Sequence, residues 1–155
     1  MNSFLNTEPH KTIMNSIVET MFIALCRGNK IIWCGPDSYA HSLSRKIIYT
    51  QSIVLAPHEH GNSFAKQIHN VSRRDDILFV LHSTYDEQIF TDVIRTAQKK
   101  DIRTVSVRGP EAEIITPLSE LVLTSPKFRD DYFGLVKYNI ARAICDAVAK
   151  KMLER

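Results

Sequence analysis

The chain has 155 residues, 44% of them apolar and 24% charged, and a net charge of +3. That is room for one domain with a continuous core (1–155) and little room for a second, and the composition excludes a disordered chain. The charges are spread out and no basic stripe carries interleaved aromatics, so direct nucleic-acid binding is not expected. No signal pattern opens the chain and no apolar run is long enough to cross a bilayer, so the expected compartment is cytoplasmic, with no membrane partner.

In chain order, Ile13, Ile17, Met21 and Leu25, with Met14, Val18 and Phe22 beside them, predict an amphipathic helix that starts near Thr7-Glu8-Pro9 and stops at Gly28. Its broad apolar face can serve a sheet and a partner subunit together, so residues 1–27 are expected to contribute to oligomerisation. Lys30 to Gly35 is a short apolar run, which reads as a buried strand. Ala40, Leu43 and Ile47 restore helical spacing. Ser52 to Ala56 is a second strand closed by Pro57, and a helix follows around Phe64, Ile68 and Val71. Asp76 to Leu81 is the clearest strand. Ile89, Phe90, Val93, Ile94 and Ala97 give a helix, Arg103 to Val107 a strand stopped by Gly109-Pro110, and Glu120 to Thr124 a last strand. Phe133, Val136, Ile140, Ile144 and Val148 end the chain with a long helix. The three cysteines, Cys26, Cys34 and Cys145, sit in apolar stretches and read as reduced core thiols.

Strand and helix alternate, and the strands are continuous apolar runs. The predicted fold class is therefore α/β, a three-layer αβα sandwich around a five-stranded parallel sheet of flavodoxin-like order. Ligands of such sheets bind at the carboxyl ends of the strands, where the strand order reverses. The loops after Gly35, Leu81 and Val107 are thus the ones to read for chemistry.

Gly28 to Gly35 with the Ser-containing loop after it, Asp76 to Ala97, Lys99 to Val107, and Pro117-Leu118-Ser119-Glu120-Leu121-Val122-Leu123 together resemble the sugar-isomerase (SIS) domain superfamily. Phe64-Ala65-Lys66-Gln67-Ile68 is similar to the subgroup of phosphoheptose isomerases and the DnaA initiator-associating protein. The resemblance implies a sugar phosphate as ligand; no cofactor and no metal are expected. Self-association as a homodimer or homotetramer is expected through the first and last helices, since both have wide apolar faces.

Departures from the family pattern are as informative. The family's phosphate loop resembles Ser-x-Ser-Gly-x-Ser/Thr, and here the positions run His82-Ser83-Thr84-Tyr85-Asp86-Glu87. Tyr85 replaces the glycine that allows close backbone approach, and Asp86 and Glu87 bring negative charge to a helix start. In the first loop, Asp37 and Tyr39 stand where the family favours small residues. Ser38, Ser83 and Thr84 remain as hydroxyl donors, with His82 beside them in the crevice. The family's acid–base Glu and His align with Ile48 and Lys137, and a one-residue slip of the first gives Ile47 or Tyr49. No catalytic residue is assigned on this basis.

Simpler readings stand beside these. Thr84-x-x-Glu87 is a capping box, and Asp37 with Ser38 reads equally as an N-cap pair. His58-Glu59-His60 lacks a third ligand and reads as a solvated loop. Lys137 is divided between the crevice and solvent. The resulting expectation is a non-catalytic, oligomeric SIS-type binding module, with a replication initiator or another cytosolic protein as partner. The alternative is a sugar-phosphate-binding protein or aldose–ketose isomerase of the phosphoheptose isomerase type, in which Ser38, Ser83 and Thr84 hold phosphate.

Overall fold

The computed structural model describes residues 2–47, 51–56, 63–82, 87–110, 119–127 and 134–155. Its elements run α1 (Asn2–Leu5), α2 (His10–Cys26), β1 (Ile31–Cys34), α3 (Asp37–Ser44), β2 (Ser52–Val54), α4 (Phe64–Val71), β3 (Ile77–Leu81), α5 (Glu87–Lys99), β4 (Arg103–Arg108), β5 (Leu121–Thr124) and α6 (Leu135–Glu154). The five strands form one sheet of order β2-β1-β3-β4-β5, and every pairing is parallel. This is the expected αβα architecture.

The two central strands explain the pattern. Every residue of β1 and β3 is buried, because helices cover both sheet faces and leave no wet side to select for alternation. Ile31, Trp33, Ile77, Phe79, Leu81, Val105 and Val107 pack toward α2, α3 and α6. Ile32, Cys34, Leu78 and Val80 pack toward α4 and α5 on the opposite face. The second face of β4 carries Thr104 and Ser106, both buried. They are satisfied by the approach to β5: Glu120 N–H donates to Thr104 Oγ1 at 2.9 Å, and the Ser106 and Ser119 hydroxyls meet at 2.5 Å.

At the amino ends of β1 and β3 the Asp76 carboxylate gathers donors. It accepts from Lys30 Nζ (2.5 Å), Lys30 N–H (3.1 Å) and Arg73 N–H (2.7 Å). Burial acts to raise its pKa, but those hydrogen bonds and the Lys30 charge together outweigh burial and hold it below the ordinary value.

Three local expectations are corrected. A short helix, α1, precedes α2, and its Leu5 joins the core. Cys26 is exposed, not a core thiol, because it lies in the last turn of α2, where Arg155 donates to its sulfur at 3.4 Å. Cys34 and Cys145 are buried as expected, and burial pushes the Cys145 thiol well above its usual pKa. Asp37 and Ser38 do not cap α3: Pro36 holds the N-cap position without a side-chain hydrogen bond, and Asp37 instead pairs with His41 one turn on, at 3.3 Å.

Candidate functional site

The order β2-β1-β3 places the topological switch between β1 and β3. After β1 the chain turns onto the face of α2 and α6, and after β3 it turns onto the face of α4 and α5. In sheets of this order the ligand crevice lies at the carboxyl edge between two such segments.

Gly35 forms the root of that crevice. A Cβ there would lie 2.8 Å from the Leu81 carbonyl oxygen and 3.1 Å from Leu81 Cβ. The glycine therefore lets the segment after β1 press directly on the end of β3.

His82 follows immediately. Its N–H donates to the Val107 carbonyl at 3.0 Å, its Nε2 lies 3.0 Å from Ser106 Oγ, and its ring rests on Phe90 with centroids 5.2 Å apart. The imidazole is buried, held by β4 below and α5 beside it. The structure thus keeps His82 at the crevice but commits its Nε2 to Ser106, so that nitrogen is not pointed at a ligand.

Ser38 lies in the first turn of α3 and is exposed at the same edge. Ser83 and Thr84 lie outside the described residues, as do Ile48 and the His58-Glu59-His60 segment. His82 and Ser38 are accordingly the two predicted ligand-binding residues that the structure describes, and both occur at the carboxyl edge.

Residues outside the predicted ligand-binding set lie at the same edge. Tyr39 of α3 and Tyr138 of α6 stack with centroids 4.6 Å apart and planes at 25°. The Tyr138 hydroxyl meets Ser42 Oγ at 2.6 Å. Tyr39, which departs from the small residues of the family loop, is thereby a packing partner that joins the first turns of α3 and α6. Lys137, next to Tyr138, is buried at 5% exposure. Periodicity could have located it, since it shares a face with Ile140, Ala141, Ile144 and Val148, but its charge argued for solvent.

Among the described residues no group of three or more His, Cys, Asp or Glu is placed to hold a metal ion, and no helix is long and apolar enough to cross a membrane. An open groove of about 420 Å³, lined in part by Asp75, Asp101, Arg103 and Glu120, lies at the amino edge, away from the switch point. There the Arg103 guanidinium is bound twice to the Glu120 carboxylate, at 2.6 and 3.3 Å.

No protein-family model matches the sequence. The chain is similar to the phosphoheptose isomerase of Solidesulfovibrio magneticus, 23% identical over 167 residues that cover 94% of this chain and 81% of that protein. Its fold is similar to that of a phosphoheptose isomerase from Francisella tularensis, with TM-score 0.75 and 18% identity over 94% of this chain and 88% of the other. It is also similar to the phosphoheptose isomerase of Neisseria gonorrhoeae, with TM-score 0.74 and 17% identity over 90% and 86%. With an all-parallel sheet of order β2-β1-β3-β4-β5 and a likeness that runs over most of its length, the chain shares the fold of these phosphoheptose isomerases.

Proposed function

We propose that this chain binds a phosphorylated sugar in the crevice between the carboxyl ends of β1 and β3. The observation that carries the reading is the switch point between β1 and β3, where Gly35 closes on Leu81, in a fold shared with phosphoheptose isomerases. Aldose–ketose isomerisation is the reaction class to test, because those relatives are named for it.

Of the two readings drawn from the sequence, the sugar-phosphate one now leads. Nothing in the fold or in the relatives favours a replication initiator as partner. The proton transfers of an isomerisation need a positioned base. The described crevice offers His82, with Nε2 engaged by Ser106, and the buried Lys137. Self-association is part of the proposal: Ile23 of α2 and Leu153 of α6 are large apolar side chains left exposed, and helix-on-helix contact with a second copy would cover them.

The test is thermal unfolding with and without sugar phosphates, sedoheptulose 7-phosphate included, alongside an assay of isomerised product. A ligand at about 100 times its Kd adds roughly 2.7 kcal/mol, or roughly 5–10 °C in Tm. Stabilisation by a sugar phosphate and not by the unphosphorylated sugar is expected. A flat response across the panel would overturn the binding reading. Size-exclusion chromatography at micromolar concentration checks the assembly, and a strictly monomeric elution would remove that part.

A further inference from the structure

We infer that a buried water molecule bridges Trp33 of β1 and Ser52 of β2 beneath α3, and ties the short edge strand to its neighbour.

Two atoms call for a partner. Trp33 Nε1 and Ser52 Oγ are both buried, and neither has a hydrogen-bond partner among the described residues. An indole N–H or a hydroxyl buried without one costs free energy that native structures rarely leave unmet. Register brings the two side chains to one place. Ile31 pairs with Ser52 and Trp33 with Val54 in parallel strands, and partners in register share a sheet face. Ile31, Trp33 and Val54 belong to the face packed toward α2, α3 and α6, so Ser52 points to that face too. Trp33 and Ser52 are then diagonal neighbours on adjacent strands, roughly 7–8 Å apart and within reach of an aromatic ring. α3 lies over both strands. Phe79, in register with Trp33 on β3, packs on the indole with centroids 5.0 Å apart.

The chemistry selects the occupant. Trp33 Nε1 can only donate, whereas a serine hydroxyl donates or accepts. The bridging group must accept from the indole and can take either role toward Ser52, as water does. Ile31, Ala40, Leu43 and Phe79 of the surrounding face are apolar, so an ion there would be buried without compensation. The place in the fold gives the bridge its effect. β2 has three residues and lies at the edge of the sheet beside β1. Backbone bonds at its two ends, Ile31 N–H to the Gln51 carbonyl at 3.2 Å and Leu55 N–H to the Trp33 carbonyl at 2.9 Å, hold it. A water from Trp33 to Ser52 adds a side-chain link between them, nearly as favourable in enthalpy as a direct hydrogen bond.

Trp33 is the single tryptophan, so its indole N–H gives one NMR signal that needs no variant to assign. Rotating-frame cross-relaxation between that proton and water is measured in the wild type and in Ser52→Ala, alongside crystal structures of both. The expected result is a dipolar cross peak to water in the wild type, an ordered water about 2.7–3.2 Å from both atoms, and loss of the cross peak in Ser52→Ala. Absence of the cross peak or of the ordered water from the wild type would overturn the inference, even if Ser52→Ala failed to fold. A cross peak that persists in Ser52→Ala would also overturn it, because other groups would then hold the water.

Discussion

His82 Nε2 and Ser106 Oγ stand 3.0 Å apart across the β3–β4 boundary, and Ser106 Oγ is in turn 2.5 Å from Ser119 Oγ. This chain of polar groups ties the end of β3, the middle of β4 and the approach to β5 beneath the crevice. Each member is buried or partly buried, so removing one strands the next.

Ser106→Ala is therefore expected to lower stability by about 1–3 kcal/mol, the range for leaving a buried partner unsatisfied. Denaturant unfolding measures it. An unchanged midpoint would show that Ser106 is not needed to hold His82 in place.

Gly35→Ala should cost more than a surface substitution, because the added methyl meets backbone oxygen rather than a flexible side chain. A loss of about 1–3 kcal/mol is expected from overpacking, together with weakened ligand binding as β1 and β3 are pushed apart at the crevice root. Gly28 is the useful comparison: a Cβ there meets nothing within 4 Å, and only its φ of +80° opposes substitution. Gly28→Ala should lower stability without altering ligand affinity, and calorimetry on both variants separates the two effects.

Asp76 governs the acid side of the stability profile. Its folded pKa lies below the unfolded value, so its contribution is whole above the unfolded pKa of about 3.9 and is lost as pH falls through that value toward the folded one. Asp76→Asn leaves Lys30 buried without its counter-charge and should cost about 3–5 kcal/mol at neutral pH. It should also flatten the fall in stability below about pH 5. Urea unfolding from pH 3 to 7 checks both, and an equally steep acid limb in the variant would remove Asp76 from the account.

Tyr138→Phe keeps the stack on Tyr39 and deletes the bond to Ser42. About 0.5–1.5 kcal/mol of stability should go with that bond. A double-mutant cycle with Ser42→Ala should recover a coupling of similar size, whereas additivity would mean the pair is not formed in solution.

The sequence by itself determined the order of strands and helices and the parallel sheet. Strands buried on both faces must be continuous apolar runs, and Ile31 to Cys34 and Ile77 to Leu81 leave no other reading. It also pointed to the loops after Gly35 and Leu81, since the carboxyl edge follows from the alternation alone. The N-terminal region was only partly legible: α1 has four residues, too few to show a period, and Cys26 sits in an apolar stretch whose last turn runs out of core to face.

What only the tertiary structure decided is which polar residues meet. Ser42 and Tyr138 are 96 positions apart, Lys30 and Asp76 are 46 apart, and no local pattern encodes either pair. The Asp37–Ser38 cap was locally reasonable and lost to a contact with His41. Lys137 shows the limit most clearly. Helical periodicity assigns it to the buried stripe and its charge assigns it to water, and those local rules conflict. The packing of α6 over the sheet resolves the conflict in favour of burial, because the buried stripe of Ile140, Ala141, Ile144 and Val148 carries on into the first turn of the helix.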